Sequence, residues 1–186
     1  MTSSNNIVLP SSDSCAFCDY LRGDRPYTIL DRGTLVATLV TREQRGISHL
    51  LVLPIRHCQT IFDVTDEEAT ALMNEIRHAA RTIDLADQRP GIAIWQNNGI
   101  AANQTVAHLH FHVAGTLAEG GTNWGDVAEL SLAETDAIAA RLRQVDIPRR
   151  LSWSTTVIAI STTTRTRRSR IQHPSQLLVI PSRMYS

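Results

Sequence analysis

The sequence predicts an α+β domain, an antiparallel sheet of about five strands with one long and one or two shorter helices, followed by a C-terminal tail. Three observations point there. From Gln104 to Val113, His108, His110 and His112 alternate with Leu109, Phe111 and Val113, so an extended chain puts three imidazoles on one face and a core face opposite. Behind a Thr65/Glu68 capping box, Ala69, Leu72, Met73, Ile76, Ala79, Ala80 and Ile83 form one helical stripe. The remaining strand-like stretches are not interleaved with helices, which is the order of antiparallel strands with segregated helices.

Met1 to Ser14 is rich in Ser and Asn and is expected to be a flexible lead-in, residues 1–14. The domain is expected over residues 15–146. Cys15-Ala16-Phe17-Cys18 opens a short helix that runs through Leu21 and stops at Gly23. Pro26 to Leu30 and Thr34 to Val40 flank a turn at Asp31-Arg32-Gly33 and read as a hairpin. Ile47 to Leu53 is a strand closed by Pro54, and the Thr65 helix ends before Pro90-Gly91. Gly91 to Gln96 is a strand running into the Asn97-Asn98-Gly99 turn, and Val106 to Ala114 is the strand of the three histidines. After the Gly120-Gly121 loop and Trp124, a possible docking residue, Leu132 to Leu142 is a second amphipathic helix.

Charge is balanced overall, at 18 basic and 18 acidic residues, and every basic residue is Arg. Its distribution is uneven: seven Arg and no acid lie from Ile147 onward, joined to a body with 11 Arg and all 18 acids. Residues 147–186 are Ser/Thr/Arg-rich, too polar over most of their length to bury a core, and read as a solvated, largely disordered tail in preference to a nucleic-acid contact. No apolar run approaches the roughly 20 residues of a membrane span, and the N-terminus lacks a signal-peptide pattern. The expected setting is cytoplasmic. Three cysteines, two in Cys-x-x-Cys, are too few for a secreted disulfide framework. Strand-like sequence follows that pair, which favours a metal half-site over a redox motif.

Three imidazoles on one anchored strand face can bind metal, act in catalysis or sit exposed. The run His108-Leu109-His110-Phe111-His112-Val113-Ala114 resembles the His-φ-His-φ-His-φ-φ signature of the histidine-triad (HIT) family of nucleotide hydrolases and transferases. Ser48 to His57 is similar to that family's Gly-His-x-Leu-Val-x-Pro-x-x-His strand, and Asn97-Asn98-Gly99 with Gln104-Thr105-Val106 to its Asn-x-Gly…Gln-Ser/Thr-Val lead-in. The resemblance covers roughly residues 15 to 143.

That resemblance implies a nucleotidyl hydrolase or transferase acting on a nucleoside phosphoramidate, dinucleoside polyphosphate or similar substrate. It implies His110 as the nucleophile that becomes a nucleotidyl-histidine. His112, His49, Gln104 and Thr105 would supply donors for the developing negative charge. Asn97 matches a phosphate-binding position, Phe17 and Tyr20 match base-pocket positions, and Thr41 stands where relatives carry the acid or Asn that binds ribose. Cys15, Cys18, His57 and His108 make a Cys₂His₂ set suited to a closed, structural Zn²⁺ site, with His108 assigned from zinc-bearing relatives and the similar galactose phosphate uridylyltransferases. Cys58 is expected to pack. A homodimer is also implied, with Ala69, Ala79 and Ala80 permitting close helix approach. Departures from the pattern are Thr41, Arg42 beside it, Ser48 in place of Gly, and Ala114-Gly115 in place of an apolar-Pro ending. They keep a second class open, a nucleotide-binding or regulatory module without turnover.

Overall fold

The computed structural model describes residues 7–146. Chain order is α1 (Ala16–Arg22), β1 (Ile29–Arg32), β2 (Val36–Val40), β3 (Ile47–Pro54), α2 (Asp66–Asp87), β4 (Ile92–Gln96), β5 (Phe111–Gly115) and α3 (Leu132–Leu142), with 3₁₀ turns at Ile61–Asp63 and Ile100–Ala102. The five strands form one antiparallel sheet in the order β1-β2-β3-β5-β4. This is the expected α+β architecture, and the tail expected at 147–186 lies outside the described residues.

Helices cover both faces of the sheet's centre. Leu72, Ile76, Ala79 and Ile83 of α2, with Ala139 and Leu142 of α3, pack on Val40, Leu50, Val52 and Val113. On the other face Phe17 and Leu21 of α1 pack on Ala37, Leu39, Leu51 and Leu53. β2 is therefore buried at every position, and β3 at every position after Ile47.

Three local expectations differ from what is observed. β1 extends through Asp31 and Arg32, so the hairpin turn falls at residues 33–35, where the Gly33 amide donates to the Val36 carbonyl (2.9 Å). The α2 stripe is narrower than its apolar spacing: Ala69 and Met73 are exposed, and Thr82 is buried with its hydroxyl returned to the His78 carbonyl (3.0 Å). Ala79 lies in the chain's own core and is not available to a partner helix. The triad strand is shorter than expected, because the His108 amide donates to the Val106 carbonyl (2.8 Å) and the Leu109 amide to the Cys58 carbonyl (2.6 Å). His108 and His110 thus sit in a bent lead-in, and only His112 is in β5.

The start of α2 is fixed as its sequence predicts. Thr65 and Glu68 form both halves of a capping box, and the same Glu68 carboxylate takes a bidentate hydrogen bond from Arg56 (2.8 and 2.7 Å). That pair ties the end of β3 to the helix. Arg56 above all, then the cap, holds the Glu68 carboxyl down to about 2. A depressed carboxyl adds stability above its unfolded value, near 4.3, and loses it as pH falls toward the folded value. Urea midpoints of the wild type and Glu68→Gln should therefore differ at pH 6 and converge between about pH 4.5 and 2. Parallel profiles across that window would remove this assignment.

Candidate functional site

Cys15 caps α1 at its N-terminus, and the first turn brings Cys18 round beside it. Cys15 Sγ lies 3.3 Å from His108 Nδ1, Cys18 Sγ 3.4 Å from His57 Nδ1 and 3.6 Å from His108 Nδ1. All four ligand atoms fall within 4.8 Å of one another. A tetrahedral ion with Zn–S near 2.3 Å and Zn–N near 2.05 Å puts sulfur and nitrogen about 3.6 Å apart, so the donor set and its spacing fit zinc. His108 Nε2 donates to the Pro54 carbonyl (2.9 Å), which leaves Nδ1 bare toward the thiols, as a ligand requires. Cys58 is buried in the α2-side core, as expected, and its carbonyl accepts from the Leu109 amide beside the site (2.6 Å).

Two residues on, His110 is 6% exposed, with its Nδ1 2.7 Å from the His108 carbonyl. A carbonyl only accepts, so the proton sits on Nδ1 and Nε2 keeps its lone pair. Burial lowers the pKa, which keeps the ring neutral. Phe17 and His112 each meet His110 edge-on, with ring centroids 4.9 Å away.

His112 Nδ1 lies 2.9 Å from His49 Nε2. His49 is fully buried, and its Nδ1 is 2.9 Å from the Glu43 carbonyl. His49 Nδ1 also faces the Arg45 amide at 3.3 Å, but the shorter contact is to a carbonyl that can only accept, so Nδ1–H donates to Glu43, Nε2 accepts from His112 Nδ1–H, and His112 is left with a bare Nε2. Burial first, then the neighbouring rings, push His112 down to about 2; burial is also the main cause that takes His49 to about 4. His112, expected as a donor, is an acceptor at rest. His49, expected at the phosphate, spends its free nitrogen on His112.

The lead-in residues divide. Gln104 is buried and fully engaged: its amide donates to the Gln59 (2.8 Å) and Val106 (3.0 Å) carbonyls, and its oxygen accepts from the Gly99 amide (2.6 Å). Expected as a donor to developing negative charge, its side chain here braces the loop. Thr105 is exposed and Asn97 half-buried, and both side chains remain available. Asn98 is spent on the Ile61 amide and Gln96. Gly99 has φ +86°, and a Cβ there would meet Ile7 at 2.5 Å, so the turn requires glycine. The Ile100 amide bonds the Val8 carbonyl (2.8 Å), so the lead-in expected to be flexible contacts the domain here.

On the α1 side, Tyr20 stacks on Tyr27 at 4.1 Å and carries Arg25 over its ring at 5.1 Å. Tyr27 escaped the sequence reading because nothing local marks it. Its phenol oxygen accepts from the Arg42 amide (3.3 Å). Arg42 itself turns away, donating to the Leu130 carbonyl (2.7 Å) and pairing with Glu129 (2.9 Å). Ser48, in place of the Gly of the family pattern, has φ +51°, a conformation costing on the order of 1–2 kcal/mol for a residue with a Cβ; its hydroxyl accepts from Arg141 (2.8 Å), which also pairs with Asp87.

Trp95, also missed, lies flat on His112. Only strand pairing reveals it, because β4 is remote from the triad in sequence. Trp124 covers Trp95 at 5.5 Å, which gives the expected docking residue its place.

Comparison with known proteins identifies the family. A family model described as HIT domain matches residues 24–118. A HIT-like protein of Mycobacterium tuberculosis is 41% identical over 104 residues, 53% of this chain and 69% of its own. Adenosine 5'-monophosphoramidase of Schizosaccharomyces pombe is 28% identical over 100 residues, 54% of this chain and 72% of its own. Among solved structures, a Zn-bound histidine triad family protein from Mycobacterium smegmatis has a TM-score of 0.60 at 26% identity, covering 72% of this chain and 96% of that one. A HIT-like protein from Bartonella henselae, at 21% identity, shares the fold with a TM-score of 0.66 over 73% of this chain and 98% of its own. With that domain model spanning just over half of its length and the triad geometry in place, the chain belongs to the HIT family.

Proposed function

We propose that the protein is a nucleotidyl hydrolase or transferase that cleaves at the α-phosphate of a nucleoside phosphoramidate, dinucleoside polyphosphate or similar nucleotide, through a nucleotidyl-histidine on His110. The hydrogen bond from His110 Nδ1 to the His108 carbonyl carries the reading, because it fixes the proton away from Nε2 and so presents a neutral nucleophile. Nε2 attacks the α-phosphorus, a P–N bond forms, and the leaving group departs with its electron pair and takes a proton from solvent. Water then attacks the same phosphorus. The anionic phosphate beside His112 raises its basicity from the resting value, so that Nε2 accepts the water's proton, and the P–N pair returns to His110. The amide of Asn97 and the hydroxyl of Thr105 supply donors to the non-bridging oxygens. Phe17 and Tyr20 form the wall on the base side, with Thr41 behind it. His49 and Gln104 act by holding their neighbours.

The relatives named as hydrolases support this class. Zinc held by Cys15, Cys18, His57 and His108 would tie α1 to the triad and carry no step of the reaction. The reduced thiols of Cys15 and Cys18 suit a cytoplasmic setting, and no helix among the described residues is long and apolar enough to cross a membrane.

Intact-mass analysis after mixing with adenosine phosphoramidate and rapid acid-free quenching should show a nucleotidyl adduct on the peptide carrying His110. Nucleotide binding with neither adduct nor turnover across a panel of phosphoramidates and dinucleotides selects the binding-module reading instead. The buried Thr41, one hydroxyl at the position where relatives place an acid or Asn for ribose, is the observation in its favour.

The reading includes a homodimer. β4 is an edge of the sheet with Ile94 half exposed, and α2 exposes Met73 and Leu85. A second copy covering the β4 edge would bury such surface. Light scattering at micromolar concentration should give twice the chain mass, and a monomer mass removes the dimer.

A further inference from the structure

We propose that Trp95 is a positioning residue for His112, a clamp that keeps Nδ1 on His49 and turns the bare Nε2 toward the space beside His110. The proposal rests on the hydrolase reading for its catalytic consequence but not for its geometry. Trp95 and His112 are directly opposite in the β4–β5 register. Their rings are parallel to within 2° with centroids 4.6 Å apart, and the same indole lies 5.0 Å from the His49 ring. One aromatic face thus covers both members of the pair that shares the 2.9 Å hydrogen bond.

Such a clamp answers a specific weakness. An imidazole on a β-strand rotates about a broad χ2 torsion. His112 has one ring nitrogen anchored, on His49, and the other must stay free for the reaction. A single hydrogen bond does not stop the ring from tilting or flipping. Leu51 is the cross-strand neighbour on one side of His112. On the other side β4 is the sheet edge, so Trp95 is the last strand residue against the ring.

Trp95 is itself held. Trp124 lies against it at 5.5 Å, and the segment carrying Trp124 is fastened to the 41–46 loop. Arg45 donates to the Gly125 carbonyl (2.9 Å) and the Asn123 amide to the Arg45 carbonyl (2.6 Å). Arg42, out of place for a base pocket, fastens the same segment through Glu129. A smaller strand residue at 95 would fill the sheet edge without presenting a flat face.

The test compares Trp95→Leu and Trp95→Met, which keep apolar bulk, with Trp95→Phe, which keeps a flat face. With adenosine phosphoramidate, the Leu and Met variants should lose kcat by on the order of 10- to 100-fold with KM within about twofold, the scale of a misplaced reacting group. Phe should recover kcat to within a few-fold. Wild-type kcat in both aliphatic variants, or Phe no better than Leu, overturns the proposal. Ring ¹⁵N spectra, with His112 assigned by His112→Ala, supply a readout that needs no turnover. The wild type and the Phe variant should show a protonated Nδ1 and a bare Nε2, and the aliphatic variants averaged signals. If no substrate is turned over, the hydrolase reading fails alone and the spectra still decide the clamp: the same fixed tautomer in all variants would refute it.

Discussion

Replacing His110 with Ala or Asn should abolish turnover, by on the order of 10⁴–10⁶ in kcat, while nucleotide binding and thermal stability stay close to wild type. The size follows from the role assigned to it. A nucleophile makes a bond no neighbour can make, and losses of this scale accompany its removal elsewhere. His110 Nε2 carries a lone pair because a backbone carbonyl 2.7 Å from Nδ1 holds the ring proton, and no hydrogen bond among the described residues engages it. His112→Ala should differ in kind: the nucleotidyl-histidine still forms and its hydrolysis slows by about 10²–10⁴, the range for a lost general base. Rapid-quench measurements separate the two, with no covalent intermediate in the first variant and an accumulating one in the second. If His110→Ala turns over like wild type on the best substrate found, the nucleophile assignment is wrong and the binding module gains.

Stripping metal, or substituting Cys18 with Ala, should lower the melting temperature by on the order of 10 °C and leave chemistry in the folded fraction largely intact. Elemental analysis of metal-replete protein should return about one zinc per chain. Without a cation the cluster is a poor place for a thiol to ionise, and burial with Cys15 alongside pushes Cys18 up to about 11. A divalent ion reverses that preference and returns its binding energy as folding energy. Because α1 reaches the triad through Phe17 against His108 and His110, loss of the ion should loosen the base side of the site first. The rest of the domain keeps a core built by α2 and α3, so the effect is a shift in stability and not collapse. No zinc by elemental analysis, or a melting temperature indifferent to chelation, defeats this.

The sequence by itself determined the order of elements, the capping box at Thr65 and Glu68 and the boundaries of α3, because each is written in local spacing, while His108 joined Cys15, Cys18 and His57 only through the family resemblance. Periodicity overextended the triad strand. It reports which side chains alternate, but the bend before β5 is made by amide bonds to Val106 and to the distant Cys58 carbonyl. The partners of the site side chains were likewise decided only by tertiary structure. Whether Gln104 donates to a ligand or braces a loop, and whether His49 faces phosphate or His112, depends on which backbone carbonyls stand within 3 Å of it, and those come from segments far away in the chain. Tyr27, Trp95 and the Arg42–Glu129 fastening were illegible for the same reason. Strand register and loop closure create their partners, and a single sequence carries no record of register until the sheet is formed.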